Sequence, residues 1–356
     1  MRLAFRLCCF LLVLALLGCG DQGKDAAAST SPANNDIPVG LKLLTWRYLA
    51  QDAALVKEFE QRFRTKVEVK VRPMREIVAD AQAGRSLQAD VLILPTLEDA
   101  VRMKGFNMLQ PFFVDAFTNG DVGDNYLDRD GYYAGLTQWT MVAVYNPNAV
   151  TSEEAGTYRG LAEVPLRGIR LGVAHPDSSG LAAVIGALHA NLNPDAAALW
   201  TNSIYRLAAG GLQGSDYDQL DRMLAGELDM ALVSMGAVAR WFLNGDPKHY
   251  EAGGAWRVRF PHTQATNMNF INMTCITMPA NAPNRNMAAS FINYMFSKEV
   301  QEQLSNAWFE FPTHAFAEAN EYLYGFPDRL GYKLSAESLE QNIPIGWALV
   351  NAQAEQ

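Results

Sequence analysis

The feature that most constrains this fold is the alternation of strand-like and helix-like blocks between Leu41 and Gly105. Leu41 to Trp46 is a largely apolar run, interrupted by Lys42 and Thr45, and reads as a strand. Asp52 to Phe63 puts Ala53, Val56, Phe59 and Phe63 on one helical face. Lys66 to Val71 alternates charged residues with Val67, Val69 and Val71, the period of a strand. Arg75 to Ala83 reads as a helix. Ala89 to Leu94 suits a central buried strand, and Leu97 to Lys104 a helix closed by Gly105. Strands alternating with helices predict an α/β fold whose sheet is mostly parallel and covered on both faces.

The pattern continues downstream. Tyr132-Tyr133 and Trp139 to Tyr145 are strand-like and end at the turn Asn146-Pro147-Asn148. Gly168 to Val173 is a strand that leads through Ser178-Ser179-Gly180 into a helix over Leu181 to Ala190. Asp195 to Ala209 and Gln219 to Gly226 read as helices, and Leu228 to Val233, Trp256 to Phe260 and Asn269 to Met278 as strands. Met287 to Phe296 and Lys298 to Asn306 are helical. A final helix is expected from Gly346.

The N-terminus predicts export. Arg2 and Arg6 precede an apolar core, Leu7 to Leu17, too short to span a bilayer as a helix. The core ends in Leu16-Leu17-Gly18-Cys19, which resembles the bacterial lipoprotein cleavage box. That resemblance implies lipidation of Cys19 and a periplasmic or surface protein tethered to a membrane. An ordinary signal peptide with an incidental Cys19 is the alternative. Residues 20–40 are rich in small and polar residues, cannot offset their ordering entropy, and read as a flexible spacer. Cys8 and Cys9 belong to the leader, so Cys275 alone remains in the folded body and no internal disulfide is expected. The 29 basic residues, less Arg2 and Arg6, stand against 38 acidic ones, a balance of −11. This opposes nucleic-acid binding, which leaves a basic footprint.

Several stretches carry a resemblance to the type II periplasmic substrate-binding proteins of ABC importers, nearest to the ferric-ion-type and polyamine-type groups. They are Leu41 to Val71, Ala89 to Thr96, Met141 to Pro147, Gly168 to Gly180, Ser297 to Leu304 and Phe309 to Pro312. The resemblance implies two α/β lobes joined by two crossover strands, with ligand in the cleft. The expected first lobe is 41–140 and 266–356 and the second 141–265, with hinge crossings near Trp139–Tyr145 and Thr266–Phe270. An ABC permease and a small solute are the implied partners; a monomer without cofactor is expected.

Candidate ligand residues follow from position. Ser178-Ser179-Gly180 opens a helix, where free backbone N–H groups suit an anion; a plain N-cap by Asp177 or Ser178 explains the same residues. Trp46-Arg47-Tyr48 ends the first strand, where open α/β sheets place ligand loops. Its indole or phenol can stack, and its guanidinium can fork onto an oxyanion. Thr96 and Glu98 follow the third strand, and Glu98 suits an amine. Trp139 and Asn269 fall at the crossings. Ser234-Met235-Gly236 reads as a loop at the cleft. The ferric group places two adjacent tyrosines at positions that match Gly236 and Ala237 here, and neither can supply a phenolate. The expected ligand is therefore a small anionic or zwitterionic organic compound, with ferric iron, a polyamine or thiamine as alternatives. A sensory binding protein is a further alternative. No nucleophile elbow, phosphate loop or dinucleotide fingerprint supports an enzyme.

Overall fold

The computed structural model describes residues 38–175, 180–191, 193–263, 269–324, 341–346 and 348–349. Cys19, residues 20–37 of the expected spacer and the pair Ser178-Ser179 lie outside them, and the first strand begins at Val39, two residues inside the expected spacer. Ten strands occur among the described residues: β1 Val39–Thr45, β2 Lys66–Val71, β3 Val91–Leu94, β4 Leu109–Gln110, β5 Tyr133–Tyr145, β6 Leu171–Val173, β7 Met230–Ser234, β8 Arg257–Arg259, β9 Ile271–Pro279 and β10 Phe311–Pro312.

The main path runs β2-β1-β3-β9-β5-β7-β6. On one arm β2, β1 and β3 are parallel, with Leu43 opposite both Val69 and Val91. On the other arm β6 and β7 are parallel, with Leu171 opposite Met230. Between them β9 and β5 run antiparallel to their neighbours. The sheet is therefore mixed, which corrects the mostly parallel expectation. Its two central strands carry the chain between the arms, so each meets its neighbours in the opposite sense.

Strand β5 changes partners along its length. Tyr133 to Thr140 pairs with β9, and Met141 to Tyr145 pairs with β7, with β8 on its other edge. All thirteen residues of β5 are buried, as befits a strand covered on both faces. At the exchange point Thr140 Oγ1 lies 2.6 Å from Asn269 Oδ1 and 2.7 Å from the Phe270 carbonyl. That hydroxyl ties the second crossing to the first.

The helix expected over Asp52 to Phe63 forms, but its buried face is Asp52, Leu55, Val56 and Phe59; Ala53 is exposed and Phe63 half-buried. Phe59 stacks on Phe63 at 4.3 Å and meets Phe291 edge-on at 4.9 Å. Buried aromatic pairs of this kind add roughly 0.5–1.5 kcal/mol beyond their area. Asp90, wholly buried, accepts from the backbone N–H groups of Lys42 and Asn284, so its desolvation is compensated. Cys275 is buried in β9, and burial raises its thiol pKa, which makes it inert. Near the C-terminus, residues 341–346 and 348–349 are helical, so the helix expected from Gly346 begins earlier.

Candidate functional site

A cleft of about 400 Å3 opens where the two arms meet. Trp46, Arg47, Pro95, Thr96, Trp139, Thr274 and Glu310 line it from the first arm. Ser215, Asp216, Tyr217, Ser234, Ala237 and Arg240 line it from the second.

On the first wall, β1 ends at Thr45, whose Oγ1 donates to the Arg47 carbonyl at 3.0 Å and turns the chain toward the cleft. The Arg47 guanidinium is sandwiched between Trp46 at 4.9 Å and Trp308 at 4.8 Å. Each such contact is worth about 1–2 kcal/mol when desolvated. Arg47 Nη2 stands 3.6 Å from Glu310 Oε1, an ion pair too long for a hydrogen bond, and this buried nitrogen has no hydrogen-bond partner among the described residues. Burial, with Arg240 as the second cause, lowers the Arg47 pKa to about 10, so the group stays charged at neutral pH. Glu310 is fixed from behind: Thr137 and Thr274 donate their hydroxyls to its Oε2 at 2.5 and 2.8 Å.

On the second wall, Ser215 caps the helix Asp216–Leu224, and Asp216 is its first residue. Asp216 is buried; its Oδ2 accepts from Ser234 N–H at 3.0 Å and Ser234 Oγ at 2.5 Å. Its Oδ1 is buried with no partner among the described residues. Desolvation pushes the Asp216 pKa up to about 6, against the pull of the Ser234 bonds and of Arg240. Arg240, on the helix Met235–Phe242, donates Nε to Tyr217 Oη at 2.9 Å and Nη1 to the Trp308 carbonyl across the cleft.

The residues singled out from the sequence separate into groups. Trp46, Arg47, Thr96, Trp139 and Ser234 line the cleft. Thr96 caps the helix Leu97–Gly105, and its hydroxyl is engaged with Asp99; Trp139 donates Nε1 to the Pro95 carbonyl at 3.2 Å. Tyr48 borders a smaller cavity with Asp52 and Trp308, where burial and then the Asp52 charge raise its pKa and keep the phenol protonated.

Glu98 does not line the cleft. It is buried and accepts from the Ala183 N–H at 2.6 Å, so its charge is spent on a helix N-terminus rather than on an amine. Ser234-Met235-Gly236 is not a loop: β7 ends at Ser234 and a helix begins at Met235, which is fully buried. Gly236 faces the Trp308 carbonyl so closely that a Cβ would overlap it. Gly180 has φ +67 and abuts Trp139 and Asn272 beside a small separate cavity. Asn269 is buried, held by Thr140, and off the cleft. Ser178 and Ser179 fall outside the described residues.

Sequence reading missed Asp216, Arg240 and Glu310. Asp216 sits inside a capping sequence, Ser215 to Asp218, and nothing in that sequence marks it as more than a helix start. Among the described residues, no group of three or more His, Cys, Asp or Glu side chains could hold a metal ion.

Residues 54–321 match the model of the family described as bacterial extracellular solute-binding protein. The chain belongs to that family. It is a solute-binding protein of the kind that serves ABC importers from outside the cytoplasm. It is 24% identical over 338 residues to iron uptake protein A1 of Synechocystis sp., covering 95% of this chain and 90% of that one. The ferric binding protein of Campylobacter jejuni shares the fold at TM-score 0.80 and 21% identity, over 88% of this chain and 99% of that one. A Trichodesmium protein, IdiA or FutA, solved with iron and citrate, matches at TM-score 0.76 and 20% identity, over 89% and 99%. These neighbours have the two-lobed periplasmic binding-protein fold, and the two arms described above are that architecture.

Proposed function

We propose that this protein captures ferric iron as an anionic organic chelate and hands it to an ABC permease. Lobe I would be 41–140 and 266–356 and lobe II 141–265, with Cys19 carrying a lipid tether. The relatives named for iron favour a ferric cargo over the uncomplexed organic solute that the sequence alone suggested.

The site's chemistry supports a chelate over a bare ion. A ferric ion demands several hard oxygen donors. Here Glu310 already serves Thr137, Thr274 and Arg47, and among the described residues no group of three or more His, Cys, Asp or Glu side chains could hold a metal. The cleft also offers far more room than one ion fills, in the range of small-molecule sites. The observation that carries the reading is Arg47: a desolvated guanidinium lining the cleft beside two indoles, whose Nη2 has no hydrogen-bond partner among the described residues. Such a group suits the carboxylate rim of a chelate. The organic anion expected from the sequence then becomes the chelator around the metal.

Native mass spectrometry of protein purified from iron-replete cells tests this. Iron together with an organic adduct supports the reading. An organic adduct without metal would replace it with a metal-free organic anion, and a bare ferric adduct would overturn the chelate.

A further inference from the structure

The two arms meet at the Trp308 carbonyl. Trp308 ends the helix Lys298–Trp308, and the next residue, Phe309, turns into the left-handed region at φ +53. A carbonyl in the last turn of a helix has no intrahelical donor and takes one from elsewhere. Here the donor comes from the other arm, as Arg240 Nη1. A cation also suits that end of the helix dipole.

Gly236, in the first turn of the helix Met235–Phe242, faces the same oxygen. A Cβ built on Gly236 would stand 2.6 Å from it. The obstacle is backbone, so no change of rotamer relieves the overlap. Gly236 is helical and is not one of the glycines with positive φ, so alanine would be the better helix residue there. What glycine supplies at this position is the close approach of the other arm. Gly236 does not itself line the cleft. Trp308 connects the contact to the binding residues: its indole forms one face of the Arg47 slot, and its Nε1 donates to Asp52 Oδ1 at 2.8 Å.

Resting on solute capture between the two arms, we infer that Gly236 and Arg240 form a closure latch on the Trp308 carbonyl. Gly236 leaves the room in which the second arm seats on the first, and Arg240 bonds the seated carbonyl. The latch exists only when the arms meet, so it stabilises the closed state of a hinged protein and leaves the open state unchanged. Gly236 acts on the solute through Trp308 and Arg47, which makes it a positioning residue. The space that a side chain at position 236 would need is taken, on closure, by backbone of the first arm.

Gly236→Ala tests the latch, with Gly254→Ala as its control. Gly254 lies in the helix Pro247–Ala255 with open space around its Cβ position, so the same exchange there meets nothing. Small-angle scattering with and without ferric citrate reads the separation of the arms. Stopped-flow tryptophan fluorescence reads association and release of ferric citrate. Gly236→Ala should hold or raise the melting temperature of the ligand-free protein and enlarge its radius of gyration. It should release ferric citrate roughly tenfold faster with little change in association rate. Gly254→Ala should match wild type in radius and release. A lowered melting temperature with unchanged radius would make Gly236 a packing residue of its own arm and overturn the inference. A radius equal to wild type in both conditions overturns it as well. If the wild-type protein binds no ferric citrate, the chelate reading falls and the radius of the ligand-free proteins alone decides the latch.

Discussion

The two walls of the cleft are built on opposite plans. On the first, Glu310 is fully served by two threonine hydroxyls and faces Arg47, which is locked between Trp46 and Trp308. On the second, Asp216 is held by one oxygen, and the other is buried with no partner among the described residues. The first wall is a finished structure that presents one spare donor. The second stores an uncompensated acceptor, the kind of local cost that binding sites carry and that stability alone would remove.

Breaking the finished wall should have the largest effect. Glu310→Ala strands Thr137, Thr274 and a buried arginine, and should cost about 3 kcal/mol of stability in denaturant melts. A loss under 1 kcal/mol would show that the wall is less coupled than its bonds imply. Arg47→Ala should cost about 2 kcal/mol in binding, roughly thirtyfold in Kd by calorimetry, since a charge-assisted contact is removed from a desolvated cleft. Arg47→Lys should recover little, because a point charge cannot fill the slot between the indoles.

The open wall should respond with the opposite sign. The folded-state pKa of Asp216, about 6, lies above its ordinary value of 3.8. The folded protein therefore holds this proton more tightly than the unfolded chain does. The resulting stabilisation is complete below pH 3.8 and is lost as pH rises through 6. Without ligand, Asp216→Asn should be more stable than wild type at pH 7 by about 1–3 kcal/mol, and the gap should close toward pH 4. Melting curves of both proteins across that range check this; a variant less stable at pH 7 would mean that Oδ1 is satisfied. The smallest effect is expected for Trp308→Phe, which removes the 2.8 Å bond from Nε1 to Asp52 Oδ1 and weakens one face of the Arg47 sandwich. About 1 kcal/mol of stability should be lost, visible as a shift in melting temperature.

The same contrast explains what was legible in advance. Trp46, Arg47 and Thr96 could be read because they lie just past strand ends, where open α/β sheets place ligands, and Trp139 because it falls at an expected crossing. Glu98 obeys the same positional rule and yet turns away, since a helix from the other arm brings the Ala183 N–H to it. Position along a strand says that a residue is near a cleft, and the packing of a distant segment decides whether it is free.

The amino-acid sequence by itself determined the αβ alternation, the periods of most helices and strands, the two ends of β5 and the family to which the chain belongs. These are local properties, set by side-chain spacing over ten or fifteen residues. The tertiary structure decided the antiparallel seating of β5 and β9, the exchange of partners between Thr140 and Met141, and the meeting of Arg47, Asp216, Arg240 and Glu310. These four residues span more than 260 positions of chain. Their charges acquire meaning only when folding removes the water between them, which no local pattern encodes.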